Sequence, residues 1–187
     1  MFGAARLPLA SLLLIQLFLG YEWLMSGLTK IVRGGFASGL ADELTEKSEG
    51  VGGWYGSFLD EVVIPNAEAF GWLIVAGELA AGIGLAAAGL VWLLRWERIG
   101  VRGRTAVLAV TVLAALGGIV MNVNFHLANG SAHPWLIPGD GFDEGVDLDS
   151  LMPALQGVLI GVSVALLRAV RRERSAARPA TGNPATD

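Results

Sequence analysis

Cysteine is absent from all 187 residues, so the chain closes no disulfide, offers no thiolate to a metal or iron–sulfur cluster, and runs no dithiol exchange within itself. Histidine is nearly as scarce. Of the two, His126 and His133, the second precedes Pro134 in a polar stretch, which leaves no pair of buried axial ligands for a haem. No Gly-x-Gly-x-x-Gly run follows a strand-like segment, so no nucleotide site is expected. Charge is thin as well: 16% of residues are Asp, Glu, Lys or Arg, and the basic ones form no aromatic-interleaved patch of the kind that holds nucleic acid. The expectation is that no haem, flavin or metal is bound by this chain alone, and that any such group comes from a partner.

What the chain has instead is long apolar sequence. Hydrophobic residues make up 53% and mean hydropathy is +0.57, more than a soluble domain of this size carries. Four windows, Leu7 to Val32, Ala69 to Leu94, Arg104 to Ala128 and Leu151 to Val170, supply the roughly 20 helical residues needed to cross a hydrocarbon core of about 30 Å. The expected fold class is therefore all-α, a polytopic membrane protein whose residues 1–174 form one four-transmembrane-helix bundle. Residues 175–187, with Pro179 and Pro184, read as a disordered tail. The first window runs on through Trp23, Leu24 and Met25 without a small-residue cleavage signal, so it reads as a retained span.

Lys and Arg set the orientation. Ten of the 13 fall at Arg6, in the short segment holding Arg95, Arg98, Arg102 and Arg104, or in the C-terminal stretch holding Arg168, Arg171, Arg172, Arg174 and Arg178. The positive-inside rule then places both termini in the cytoplasm of a multi-pass protein of the cell membrane. The two long connections face outward and are acidic: Asp42, Glu43, Glu46, Glu49, Asp60 and Glu61 in the first, Asp140, Asp143, Glu144, Asp147 and Asp149 in the second. The second lacks the alternating spacing of a calcium loop, so solvation explains it best, and no metal site is expected. In the first, Trp54, Phe58 and Val62 recur every four residues, which predicts a short interfacial helix on the outer surface.

Polar residues inside the apolar windows carry the functional signal, because ionisable groups are costly in hydrocarbon. Counted at about 1.5 Å per residue from the outer ends, Glu22 lies about 15 Å deep and Glu78 about 14 Å, so the two carboxyls are level. Asn122 lies about 9 Å deep and His126 about 3 Å, with Gln156 at a similar shallow depth on the fourth span. All sit in the outer half, which implies a cavity opening outward. Glu22, Ser26 and Lys30 form one slowly turning stripe, and Ala114, Gly118, Asn122 and His126 form another. Asn122 and Asn124 cannot both face the seam, and Asn122 fits the stripe. A lone carboxylate at that depth needs a partner: Glu22 and Glu78 share a proton, or Lys30 pairs with one of them. Packing by hydrogen bonds across helices is the simpler alternative, whereas proton-coupled chemistry on a quinone oxygen needs such donors. Trp54, Trp72, Trp92, Trp96 and Trp135 read as interfacial anchors, with Trp23 set apart by a depth matching that of Glu22.

The run Leu19-Gly-Tyr-Glu-Trp-Leu-Met-Ser-Gly-Leu-Thr-Lys-Ile, then Gly77-Glu-Leu-Ala-Ala-Gly-Ile-Gly-Leu, then Asn122-Val-Asn-Phe-His-Leu-Ala-Asn-Gly, resembles the DoxX superfamily, and most of all its DoxD-type membrane subunits of thiosulfate:quinone oxidoreductase. The resemblance covers the first three spans. It implies a four-helix subunit that acts with a second small subunit, oxidises thiosulfate outside the membrane barrier and passes electrons to quinone. On that reading Glu22, Glu78 and His126 are catalytic, the two glutamates managing protons while His126 and Asn122 contact the quinone head group. Trp23 and Gln156 complete the quinone or substrate site, and Lys30 attracts an anionic sulfur compound. Two other readings keep the same fold: a non-catalytic anchor for a redox partner, with the acidic loops as docking surfaces, and a small-solute or proton transporter. The transporter is disfavoured by the lack of an internal repeat.

Overall fold

The computed structural model describes residues 7–48, 51–130 and 148–176, with side chains described over 11–47, 51–130 and 150–172. Within them every regular element is a helix: α1 (Leu7–Arg33), α2 (Phe36–Ser48), α3 (Gly53–Phe58), α4 (Ala67–Arg95), α5 (Val101–Ala128) and α6 (Leu148–Ala176). Four of them are long and apolar enough to cross a membrane, as the four windows require. Ser175 and Ala176, expected in the tail, belong to α6, which continues to Ala176; the rest of the expected tail lies outside the described residues. His133, Trp135 and the acidic run from Asp140 to Asp147 also lie outside the described residues.

Small residues let the long helices approach closely. A Cβ on Gly20 would lie 2.8 Å from the backbone nitrogen of Ala86, and one on Gly82 would lie 2.6 Å from that of Leu24. Those two pairs, with Gly27 against Leu79, fix α1 antiparallel to α4. The pairs Gly77 with Met121 and Gly84 with Ala114 do the same for α4 and α5. α6 packs along α5 and touches α1 more sparsely, closing the ring α1–α4–α5–α6. Its core is Leu19, Trp23, Ala81, Leu85, Ala115, Met152 and Leu159.

The segment between the first and second spans departs from expectation. It is helical almost throughout rather than a loop bearing one short helix. After α1, Gly34 and Gly35 take φ values of 68° and 76°, a left-handed conformation that glycine reaches without a Cβ clash. The chain folds back as α2, whose Ala37 sits where a side chain on Gly71 of α4 would go. α3 then runs through a π-helical turn, Leu59–Val63, and a 3-10 turn, Ile64–Asn66, straight into α4. Pro65 has no N–H to give to the Glu61 carbonyl and its ring crowds that oxygen, which accounts for the widened turn before it.

Tyr55, Leu59, Val63 and Ala67 pack with Leu40 and Leu44 of α2, while Trp54 is 76% exposed and Val62 42%. The buried stripe is thus the neighbour of the Trp54 and Val62 face, which is turned outward.

Candidate functional site

The polar residues singled out from the sequence divide into two groups at different places in the bundle. The first is an ion pair between α1 and α4. Glu78 is fully buried, and Lys30 Nζ lies 2.7 Å from its Oε1 and 2.9 Å from its Oε2. Ser26 donates to the same Oε1 at 3.0 Å and accepts from Lys30 at 2.8 Å, so ammonium, hydroxyl and carboxylate form a closed triangle. The Lys30 ammonium also stands 5.0 Å from the centre of the Phe36 ring. Gly27 makes the arrangement possible, since its missing side chain leaves room for Leu79 and for Cβ of Glu78.

Glu22 does not join this group. Of the two arrangements left open by the sequence, Glu78 takes the one with Lys30, joined by Ser26, and not a carboxyl pair sharing a proton. The cause is helical rotation: four-residue steps advance about 40° each, so from Glu22 to Lys30 the stripe turns about 80°. Ser26 and Lys30 reach α4 while Glu22 stays on the flank of α1, half-buried. Lys30 is likewise not a free anion receptor, because its ammonium is matched by Glu78.

Lys30 lines the mouth of a large groove of about 1400 Å³. Its long floor is the open face between α4 and α5, built from small and apolar residues such as Gly77, Gly84, Leu113, Gly117, Val120 and Met121. Its mouth, under α2 and α3, is polar: Lys30, Arg33, Glu43, Lys47, Tyr55 and Asn124. Glu43 and Lys47 pair at 2.9 Å along α2. The Tyr55 hydroxyl donates to α5 at the Asn124 carbonyl, 3.1 Å away, and lies 3.2 Å from Asn124 Oδ1. Asn124, set aside from the sequence because it cannot share the seam with Asn122, faces this groove instead. Tyr55 did not stand out in the sequence, because its place at the groove depends on the fold-back of α2 and α3.

The second group lies inside the bundle, away from the groove. α5 buries one stripe only: Leu108, Thr111, Ala115, Gly118, Asn122 and His126. The expected stripe is right at its outer end, with Ala115 in place of Ala114. Gln156 of α6 and the indole nitrogen of Trp23 both converge on Gly118, Trp23 Nε1 standing 2.9 Å from where a Cβ would be. Trp23, Asn122, His126 and Gln156 are thus brought onto one interior seam, and none of them lines the groove.

One member of the seam was missed. Gln16 of α1 is fully buried and donates to the Leu85 carbonyl at 3.0 Å and to Thr111 Oγ1 at 3.1 Å. It was the lone polar residue in Leu12-Leu-Leu-Ile-Gln-Leu-Phe-Leu, a signal available from the start. Six buried polar atoms on this seam, Gln16 Oε1, Trp23 Nε1, Asn122 Nδ2, Gln156 Oε1 and Nε2, and Ser163 Oγ, have no hydrogen-bond partner among the described residues. Each such atom left dry costs about 1–3 kcal/mol.

Among the described residues no three His, Asp or Glu side chains gather as metal ligands. The fold and site define a bundle of four apolar helices with one buried ion pair beside a lipophilic groove. No family model, curated protein or solved structure matches the chain.

Proposed function

We propose that the chain is the membrane subunit of a quinone-linked oxidoreductase, crossing the cell membrane four times with both termini in the cytoplasm. The observation that carries this reading is that Lys30, ion-paired to the buried Glu78, lines the polar mouth of a groove that is otherwise apolar. The residues present fit a quinone: Leu113, Val120 and Met121 offer an apolar bed for an isoprenoid tail, and the Lys30 charge, with Tyr55 and Asn124 beside it, gives a polar end for a carbonyl head to meet by drawing on donors now engaged within the protein. A bound quinone supplies the capacity to accept two electrons and two protons. The Lys30 ammonium is engaged by Ser26 Oγ and by both oxygens of Glu78, which hold its charge in place at the mouth. The apolar floor excludes water from the rest of the groove. The electrons come from a sulfur compound such as thiosulfate, through a second small subunit or redox partner protein, as the resemblance to DoxD-type subunits implies.

The role assigned to the seam changes accordingly. Asn122, His126, Trp23 and Gln156 are buried away from the groove, so they do not contact the head group in this reading.

Membranes containing the protein and its partner should reduce quinone with thiosulfate as donor. Glu78→Gln at matched expression should lower the rate at least tenfold, because the ammonium loses the charge that positions it. Full activity in Glu78→Gln would overturn the assignment and favour a non-catalytic anchor.

A further inference from the structure

The seam between α1, α5 and α6 carries a consequence separate from the quinone reading. Polar side chains recur along it at two-turn intervals. Gln16 and Thr111 meet at its inner end, Trp23 and Gln156 meet at Gly118, and Asn122 follows one turn further out on α5, with His126 at the top. From Thr111 to His126 the seam runs about 22 Å at 1.5 Å per residue. Leu108 and Leu13, both buried, close it below.

Six polar atoms along this line lack a protein partner, although every residue that bears them is buried. Turning the Gln156 amide so that its oxygen faces the Trp23 indole would satisfy one donor and one acceptor. It would leave the amide nitrogen, Asn122 Nδ2, Gln16 Oε1 and Ser163 Oγ still wanting partners. Left dry, those groups would cost an amount comparable to the whole stability of an ordinary domain. A packing role alone does not account for them, since leucine or methionine would fill the same space at no such cost.

We infer that the seam is an internal hydration site, in which ordered water bridges Trp23 Nε1, the Gln156 amide and Asn122. Gly118 is the residue that lets these polar groups come together, as any side chain there would collide with Gln156 and Trp23. Water in this position makes two to four hydrogen bonds and satisfies several protein groups at once. It also brings exchangeable protons to the level of Ser26, one turn along α1 from Trp23, and so to the buried side of the Lys30–Glu78 pair.

The test reads the Trp23 indole proton directly and does not depend on any quinone activity. The protein is labelled with ¹⁵N-tryptophan, placed in lipid nanodiscs and followed by NMR, with Trp23→Phe to assign the signal. The Trp23 indole, only 3% exposed, should show a magnetisation-transfer peak to water and exchange into deuterated buffer within about tenfold of the Trp54 indole, which is 76% exposed. Gln156→Leu, close in size but apolar, should remove that peak and slow the exchange at least a hundredfold. A native Trp23 indole with no water peak, protected as long as the Leu19 backbone amide, would overturn the inference. So would an unchanged water peak in Gln156→Leu, which would place the water elsewhere.

Discussion

Lys30 and Glu78 stand 48 positions apart in the chain yet make the closest charged contact in the site, at 2.7 Å. Their side chains are 21% and 0% exposed, so little solvent screens them and each depends on the other. Removing one leaves an uncompensated charge in an apolar setting, whereas replacing both removes the demand. Lys30→Met alone should therefore destabilise the protein by about 3 kcal/mol, while Lys30→Met combined with Glu78→Leu should come within about 1 kcal/mol of native. Unfolding in denaturant, with the protein in detergent or nanodiscs, measures both. With Glu78→Leu measured alone as well, a double-variant loss equal to the sum of the two single losses would show that the pair contributes no coupling. The sequence made both residues conspicuous as ionisable groups in apolar runs. It left their partner open, because depth along a helix can be counted from residue number while rotation depends on which neighbour packs where. Glu22 illustrates the difference: level with Glu78 in depth, it sits on the flank of α1 instead of at the α4 contact.

Helix contact in this bundle depends on glycine more than on side-chain interlocking. Gly82 lies so close to Leu24 that any added side chain must push α1 away from α4. Gly82→Val should thus separate Lys30 from Glu78 and lower quinone reduction at least as much as Glu78→Gln, with a fall in thermal stability. Gly117, which meets nothing within 4 Å, is the control: Gly117→Ala should leave the fold and its melting temperature unchanged. The four long helices were legible from the sequence because hydrophobic run length is set by bilayer thickness and needs no knowledge of packing. α2 was not, since a mixed polar segment with Ser38, Gly39, Asp42 and Glu43 shows little apolar run of its own. It is held by Leu40, Leu44 and Ala37 against α3 and α4, contacts that exist only once the chain has turned at Gly34 and Gly35. The π-turn at Leu59–Val63 escaped notice for a related reason, as a pattern of period four does not reveal a local widening.

At the scale of the whole molecule the chain separates two environments in one bundle: an apolar groove on the outside of α4 and α5, and a polar seam enclosed by α1, α5 and α6. The sequence foretold Lys30 and Glu78 at the groove and Trp23, Asn122, His126 and Gln156 on the seam but merged them into one cavity, because the stripes on α1 and α5 share a depth. The proposed topology, with both termini in the cytoplasm, gives the bundle a direction across the bilayer. Since the native chain has no cysteine, Lys47→Cys and Arg98→Cys each introduce a single reporter. An impermeant maleimide should label Lys47→Cys on intact cells and Arg98→Cys only after permeabilisation; the reverse pattern would invert the topology. The central claim is that the groove beside Lys30 and Glu78 receives a quinone, and photolabelling tests it most directly. A photoreactive quinone analogue, irradiated in membranes and mapped by mass spectrometry, should attach to the groove wall at Val120, Met121 or Phe125, with excess unlabelled quinone suppressing the label. Labelling confined to α6, or labelling of the groove that excess quinone does not suppress, would contradict it.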